Sequence, residues 1–75
     1  MKIAILTSLS HAFVAWDMHN YLKQAGHNVS IIVPYNYIDY ASFDLVISYY
    51  WPHIISQSEI VKPKYGMINC HPSLL

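Results

Sequence analysis

The sequence is short of charge, cysteine and long apolar runs, and each shortage removes a class of answer. Four Lys/Arg side chains stand against four Asp/Glu, for a formal net charge of zero and a pI near 7.0. So few cations leave no basic patch for a phosphate backbone, which excludes electrostatic nucleic-acid binding. A lone cysteine, Cys70, cannot build a disulfide framework and fits a reducing compartment. No stretch approaches the ~18 uninterrupted apolar residues of a membrane span. The opening apolar run, Ile3 to Leu6, is broken by Thr7, Ser8 and Ser10 before it reaches the length of a signal-peptide core. The expectation is a cytoplasmic protein without a membrane segment. There is neither a C-x-x-C nor an H-E-x-x-H spacing, so His53, Cys70 and His71 are not read as metal ligands. Repeats, low-complexity tracts and internal domain boundaries are also missing.

What remains is apolar. Of the 75 residues, 55% are hydrophobic and 11% charged, which rules out disorder. A chain this short buries only about 60% of the surface its unfolded form exposes. So much apolar material for so small a core reads as part of a larger fold.

Along the chain, residues 2–6 form a short β-branched run next to the terminus and predict a buried first strand. The hydroxyl-rich turn Thr7-Ser8-Leu9-Ser10 follows, with Ser8 or Ser10 placed to cap a helix over 11–25. In that helix Ala15, Met18, Leu22 and Ala25 share one face, with Val14 and Tyr21 on its flank. Gly26 falls where a helix ends in the left-handed conformation. Residues 28–33 predict a second strand closed by Pro34. Strand, helix, strand over this length is a βαβ unit, hence a parallel sheet. Residues 34–43 read as loop and 44–48 as a third strand. Ser56-Gln57-Ser58-Glu59 has capping-box spacing ahead of one or two helical turns that Pro63 stops. Tyr65-Gly66 is a turn, and 67–70 predict a fourth strand.

Chemistry concentrates at the end of that last strand. Alternation sends Asn69 and His71 to one side and turns Cys70 the other way, into the core as a small apolar residue. The carboxyl end of a parallel strand is where open α/β folds bind ligands. A carboxamide and an imidazole side by side there suit stabilisation of an acyl-transfer oxyanion, with the imidazole also handling a proton. Other groups have plainer readings: Tyr35, Tyr37, Tyr40, Tyr49, Tyr50 and Trp51 pack or line a slot, and His11, His19 and His27 are solvated or capping.

The run Asn69-Cys70-His71-Pro72-Ser73-Leu74-Leu75 resembles the Asn-x-His-Pro-Ser-Leu-Leu signature of the folate-dependent formyltransferases, the superfamily of the phosphoribosylglycinamide, methionyl-tRNA and amino-sugar N-formyltransferases. Upstream, Asp44-Leu45-Val46-Ile47-Ser48 resembles that family's Asp-hydrophobic strand. Trp51-Pro52-His53-Ile54-Ile55 falls where its folate loop lies, and Lys64-Tyr65-Gly66-Met67-Ile68 resembles the segment leading into the signature. The likeness is close over 43–75 and only fold-level before.

The resemblance implies an α/β, Rossmann-like open parallel sheet and transfer of a formyl group from 10-formyltetrahydrofolate, as co-substrate, to an amine. The acceptor would be an amino sugar, glycinamide ribonucleotide or an aminoacyl group. It further implies that Asn69 holds the formyl oxygen, that His71 stabilises the developing oxyanion, and that main-chain groups of His53, Ile54 and Ile55 meet the pterin ring. The family's third catalytic residue, an Asp downstream of the His, has no counterpart before Leu75. The expectation is therefore the amino-terminal part of a catalytic domain, completed by a carboxyl-terminal segment and without measurable transfer by itself. The family's glycine-containing turn after the first strand is replaced here by Thr7 to Ser10, which argues against a phosphate cradle there, while the free N–H groups of a helix start leave anion binding by Thr7 to Ser10 an open alternative. Two rival readings are the amino-terminal half of a nucleotide-sugar glycosyltransferase, which begins with a similar strand, turn and helix, and a non-catalytic truncated domain.

Overall fold

A computed structural model describes residues 1–34 and 36–70. Four strands, β1 (Lys2–Thr7), β2 (Asn28–Ile32), β3 (Leu45–Tyr49) and β4 (Met67–Cys70), form one all-parallel sheet in the order β2-β1-β3-β4. Two helices accompany them, α1 (Ala12–Gln24) and the single turn α2 (Gln57–Ile60). The expected α/β class and parallel sheet are present, and the strand limits differ from expectation by one residue at most.

The sheet order explains where the site lies. From β1 the chain crosses to β2 on one side, then passes back over to β3 and outward to β4. Parallel crossovers are nearly always right-handed, so a reversal of direction sends the two sets of connections to opposite faces. Alternation along β1 agrees: Ala4 and Leu6 join Phe43 and Val46 in a buried cluster, onto which Ile32, Ile38, Tyr40, Trp51, Ile55 and Met67 pack from the connections and neighbouring strands. Ile3 and Ile5 face the other way, and α1 packs over β1 and β2 through fully buried Ala15. β1 is thus buried on both faces, as a continuous apolar run in a parallel strand requires.

The helix ends differ from the sequence expectation. Gly26 does adopt the left-handed conformation, φ 96°, and His27 N–H returns to the Leu22 carbonyl over 3.2 Å. Neither Ser8 nor Ser10 caps α1, however. A 3₁₀ turn, Leu9–His11, intervenes and puts His11 at the N-cap, without a side-chain capping bond. Of the expected α1 face, Ala15 is buried and Met18 and Leu22 are half-buried, while Ala25 is exposed. At α2 the capping box does not form either. Ser56 Oγ lies 3.1 Å from Ser58 Oγ, and Glu59 pairs with Lys62 at 3.1 Å instead of reaching back to Ser56. The 34–43 connection, read as loop, contains a 3₁₀ turn at Tyr40–Ser42.

Among the described residues, no helix is long and apolar enough to cross a membrane, and no group of three or more His, Cys, Asp or Glu is placed to hold a metal.

Candidate functional site

Past the carboxyl ends of β3 and β4 lies a cavity of about 630 Å³, within the range of small-molecule sites. Its floor comes from strand register. Ser48 and Asn69 are direct partners across β3 and β4, and Val46 pairs Met67 one step below. All four therefore point to the same face, and Ser48, Met67 and Asn69 line the cavity. Ser48 is buried, whereas Asn69 is exposed at the mouth. The wall is the segment that leaves β3. Each of Trp51, Pro52, His53, Ile54 and Ile55 lines the same cavity as Asn69.

That segment is anchored at its two ends. Trp51 and Ile55 pack against the core, while Pro52, His53 and Ile54 stand in solvent, Ile54 fully so. Main-chain groups of Ile54 and Ile55 enter no backbone–backbone hydrogen bond among the described residues. They can therefore meet the edge of a polar heterocycle while the side chains around them offer apolar contact. The same loop also borders a second, more open cleft of about 320 Å³ with Tyr37, Tyr40 and Glu59 on its far side. There burial, and to a lesser extent the Glu59 carboxylate, raises the Tyr40 phenol above its ordinary value.

Two sequence expectations need revision. Cys70 is not a core residue: it is half-buried and lines the cavity with Asn69. The reason is position, because β4 is an outer strand and α1 lies over β1 and β2, leaving Ile68 on that face 50% exposed. His11 is not a solvated group. It is half-buried and stacks on Tyr50, ring centroids 3.7 Å apart and planes within 8°. The other expected catalytic group, His71, lies outside the described residues, as do Pro72 to Leu75 and Tyr35.

Tyr50 is the conformational exception of the molecule. Its φ of 56° is the one positive value at a described non-glycine residue, a geometry that costs on the order of 1–3 kcal/mol and concentrates at functional sites. Tyr50 lines the cavity, and its ring meets His11. His11 is held in turn: Ser8 Oγ–H donates to its Nδ1 over 2.7 Å in the tautomer protonated at Nε2, and Ser10 Oγ lies 3.1 Å away. Beneath this turn Thr7 is fully buried, and its Oγ1 has no hydrogen-bond partner among the described residues.

Sequence reasoning missed Ser48 as a floor residue, although alternation from Val46 and pairing with Asn69 would have found it. Nothing local announces the stack of His11 on Tyr50, which joins residues 39 positions apart. Segments 7–11, 49–55 and 67–70 contain no Asp, Glu, Lys or Arg, and the Glu59–Lys62 pair flanks the cavity-lining Ile60 on α2. No protein-family model, curated protein or solved structure matches the chain.

Proposed function

We propose that the chain carries the folate-binding and formyl-handling side of an amine N-formyltransferase site, built on a Rossmann-like sheet. The carrying observation is that Asn69 and the five residues Trp51, Pro52, His53, Ile54 and Ile55 line one cavity. Asn69 lies 14 positions beyond Ile55, and the loop and the Asn resemble two separate elements of that enzyme family. The walls suit a pterin: apolar side chains for its faces, and the main-chain groups of Ile54 and Ile55 for its polar edge.

In this reading the acceptor amine attacks the formyl carbon of 10-formyltetrahydrofolate. As the new C–N bond forms, charge gathers on the formyl oxygen, and an N–H of the Asn69 carboxamide donates to it. His71, two positions on, supplies the second stabilising donor. When the bond from the formyl carbon to N10 breaks, N10 takes up a proton and the amine nitrogen loses one, a transfer suited to an imidazole. Segments 49–55 and 67–70, which frame the cavity, carry no Lys or Arg, which fits a neutral heterocycle better than the pyrophosphate that a nucleotide-sugar enzyme must hold.

The test is a titration of the Trp16→Phe chain, in which Trp51 is the remaining indole, with 5-formyltetrahydrofolate and in parallel with UDP-glucose. The proposal expects a saturable change in Trp51 emission with the folate alone. A response to the nucleotide sugar alone, or to neither, overturns it.

A further inference from the structure

We propose that His11 is a positioning residue for the candidate cavity: by stacking on Tyr50 it holds the segment 50–55 in the form that lines the site. This inference rests on the reading of the cavity as a ligand site, though not on which ligand occupies it.

Three observations converge. The backbone of Tyr50 is left-handed, φ 56°, which an L side chain rarely adopts, so some contact must select that form over the extended alternatives. Among the described residues, the face-to-face ring contact is made by this same residue, at 3.7 Å and 8°. Its partner is itself fixed, since His11 sits at the start of α1 with Nδ1 bonded to Ser8 Oγ at 2.7 Å, and its ring also meets Tyr49 edge-on at 6.4 Å. Tyr50 is the first cavity-lining residue after β3, immediately before Trp51. A change in its φ would redirect everything that follows up to Ile55, where the chain is again pinned to the core. The stack therefore links the β1–α1 turn to the cavity wall across the point where the direction of the sheet crossovers reverses. Filling the cavity and forming the stack favour the same backbone state of Tyr50, so each strengthens the other.

The experiment uses the Trp16→Phe chain and reads Trp51 twice, by acrylamide quenching without ligand and by titration with 5-formyltetrahydrofolate. His11→Ala should make Trp51 more accessible to acrylamide and weaken folate binding by roughly three- to tenfold, with far-ultraviolet circular dichroism unchanged. His11→Phe, which keeps a ring to stack, should restore both readouts. Glycine adopts the left-handed form without help, so in a Tyr50→Gly background His11→Ala should change neither readout. Unchanged acrylamide quenching in His11→Ala, failure of His11→Phe to restore it, or additive effects of His11→Ala and Tyr50→Gly would each overturn the proposal. If the parent binds no folate, the function proposed above fails, and the quenching series still decides the role of His11.

Discussion

The two ends of the sheet are built from different chemistry. At the amino end the strands and turns are tied together by main-chain bonds and by charge. Lys2 N–H donates to Asp44 Oδ2 at 2.7 Å, the Lys2 ammonium sits 5.1 Å from the Phe43 ring centroid, and the terminal ammonium reaches His27 Nδ1 at 2.9 Å. Asp44 N–H bonds to the Lys2 carbonyl and Tyr65 N–H to the Asp44 carbonyl, at 2.8 and 2.7 Å. At the carboxyl end the segments 7–11, 49–55 and 67–70 have no Asp, Glu, Lys or Arg, and the Glu59–Lys62 pair lies beyond them at α2. This end carries hydroxyls, aromatic rings, one carboxamide, a backbone outlier at Tyr50 and an orphaned hydroxyl at Thr7. One end holds the fold together, and the other accepts local costs around a cavity, the division expected when ligands bind at strand carboxyl ends.

Substitutions at the two ends should therefore separate binding from stability. The largest effect on binding is expected from Asn69→Leu, which removes the carboxamide from an exposed position. Folate affinity should fall about tenfold, the worth of one good hydrogen bond, with a smaller change in the urea midpoint than Asp44→Ala produces. Asp44→Ala should do the reverse. Losing the acceptor for Lys2 N–H should cost about 1 kcal/mol of stability, read as a lower urea midpoint, with folate affinity preserved in the folded protein. If both variants lose affinity and stability together, the two ends are not functionally distinct.

Thr7→Val sharpens the comparison from the other side. A buried hydroxyl without a partner destabilises, so replacing it with a methyl of similar shape should raise stability by about 1 kcal/mol. A destabilised Thr7→Val chain would mean that this hydroxyl does have a stabilising role at the carboxyl end. The smallest effect concerns pH. Burial raises the Tyr40 phenol above 10.0, so folding favours its neutral form. That contribution is complete below the unfolded pKa and is lost as pH rises through the folded one. Ultraviolet titration should show Tyr40 ionising late, and Tyr40→Phe should remove both that late step and the matching part of the alkaline loss of stability.

The parallel sheet was legible in the sequence because its signals are local and physical: β-branched runs at the strands, helical spacing through Ala15, Met18 and Leu22, and Gly26 and Gly66 at positive φ. The cavity was legible only in part. Its wall, Trp51 to Ile55, is legible from motif likeness and its polar group, Asn69, from its place at the end of the last strand as well, whereas Ser48 requires the register of β3 against β4. Capping was misjudged at both helices because a serine hydroxyl has competing partners nearby. Ser8 and Ser10 turn to His11, and Ser56 turns to Ser58. Cys70 was misplaced because alternation names the face of a strand without saying what covers it. The stack of His11 on Tyr50 was out of reach altogether, since it depends on how two turns at adjacent strand ends meet.

The claim on which the account turns is that the Asn69 carboxamide meets the formyl group of a folate bound against Trp51 to Ile55. Nuclear magnetic resonance of the isotope-labelled chain, titrated with 5-formyltetrahydrofolate, observes that carboxamide directly. The Asn69 side-chain amide resonances, identified by their loss in Asn69→Leu, should shift in a saturable way together with the Trp51 indole and the Ile54 and Ile55 backbone amides. Saturable folate shifts confined to other parts of the sheet, with Asn69 unmoved, would contradict it.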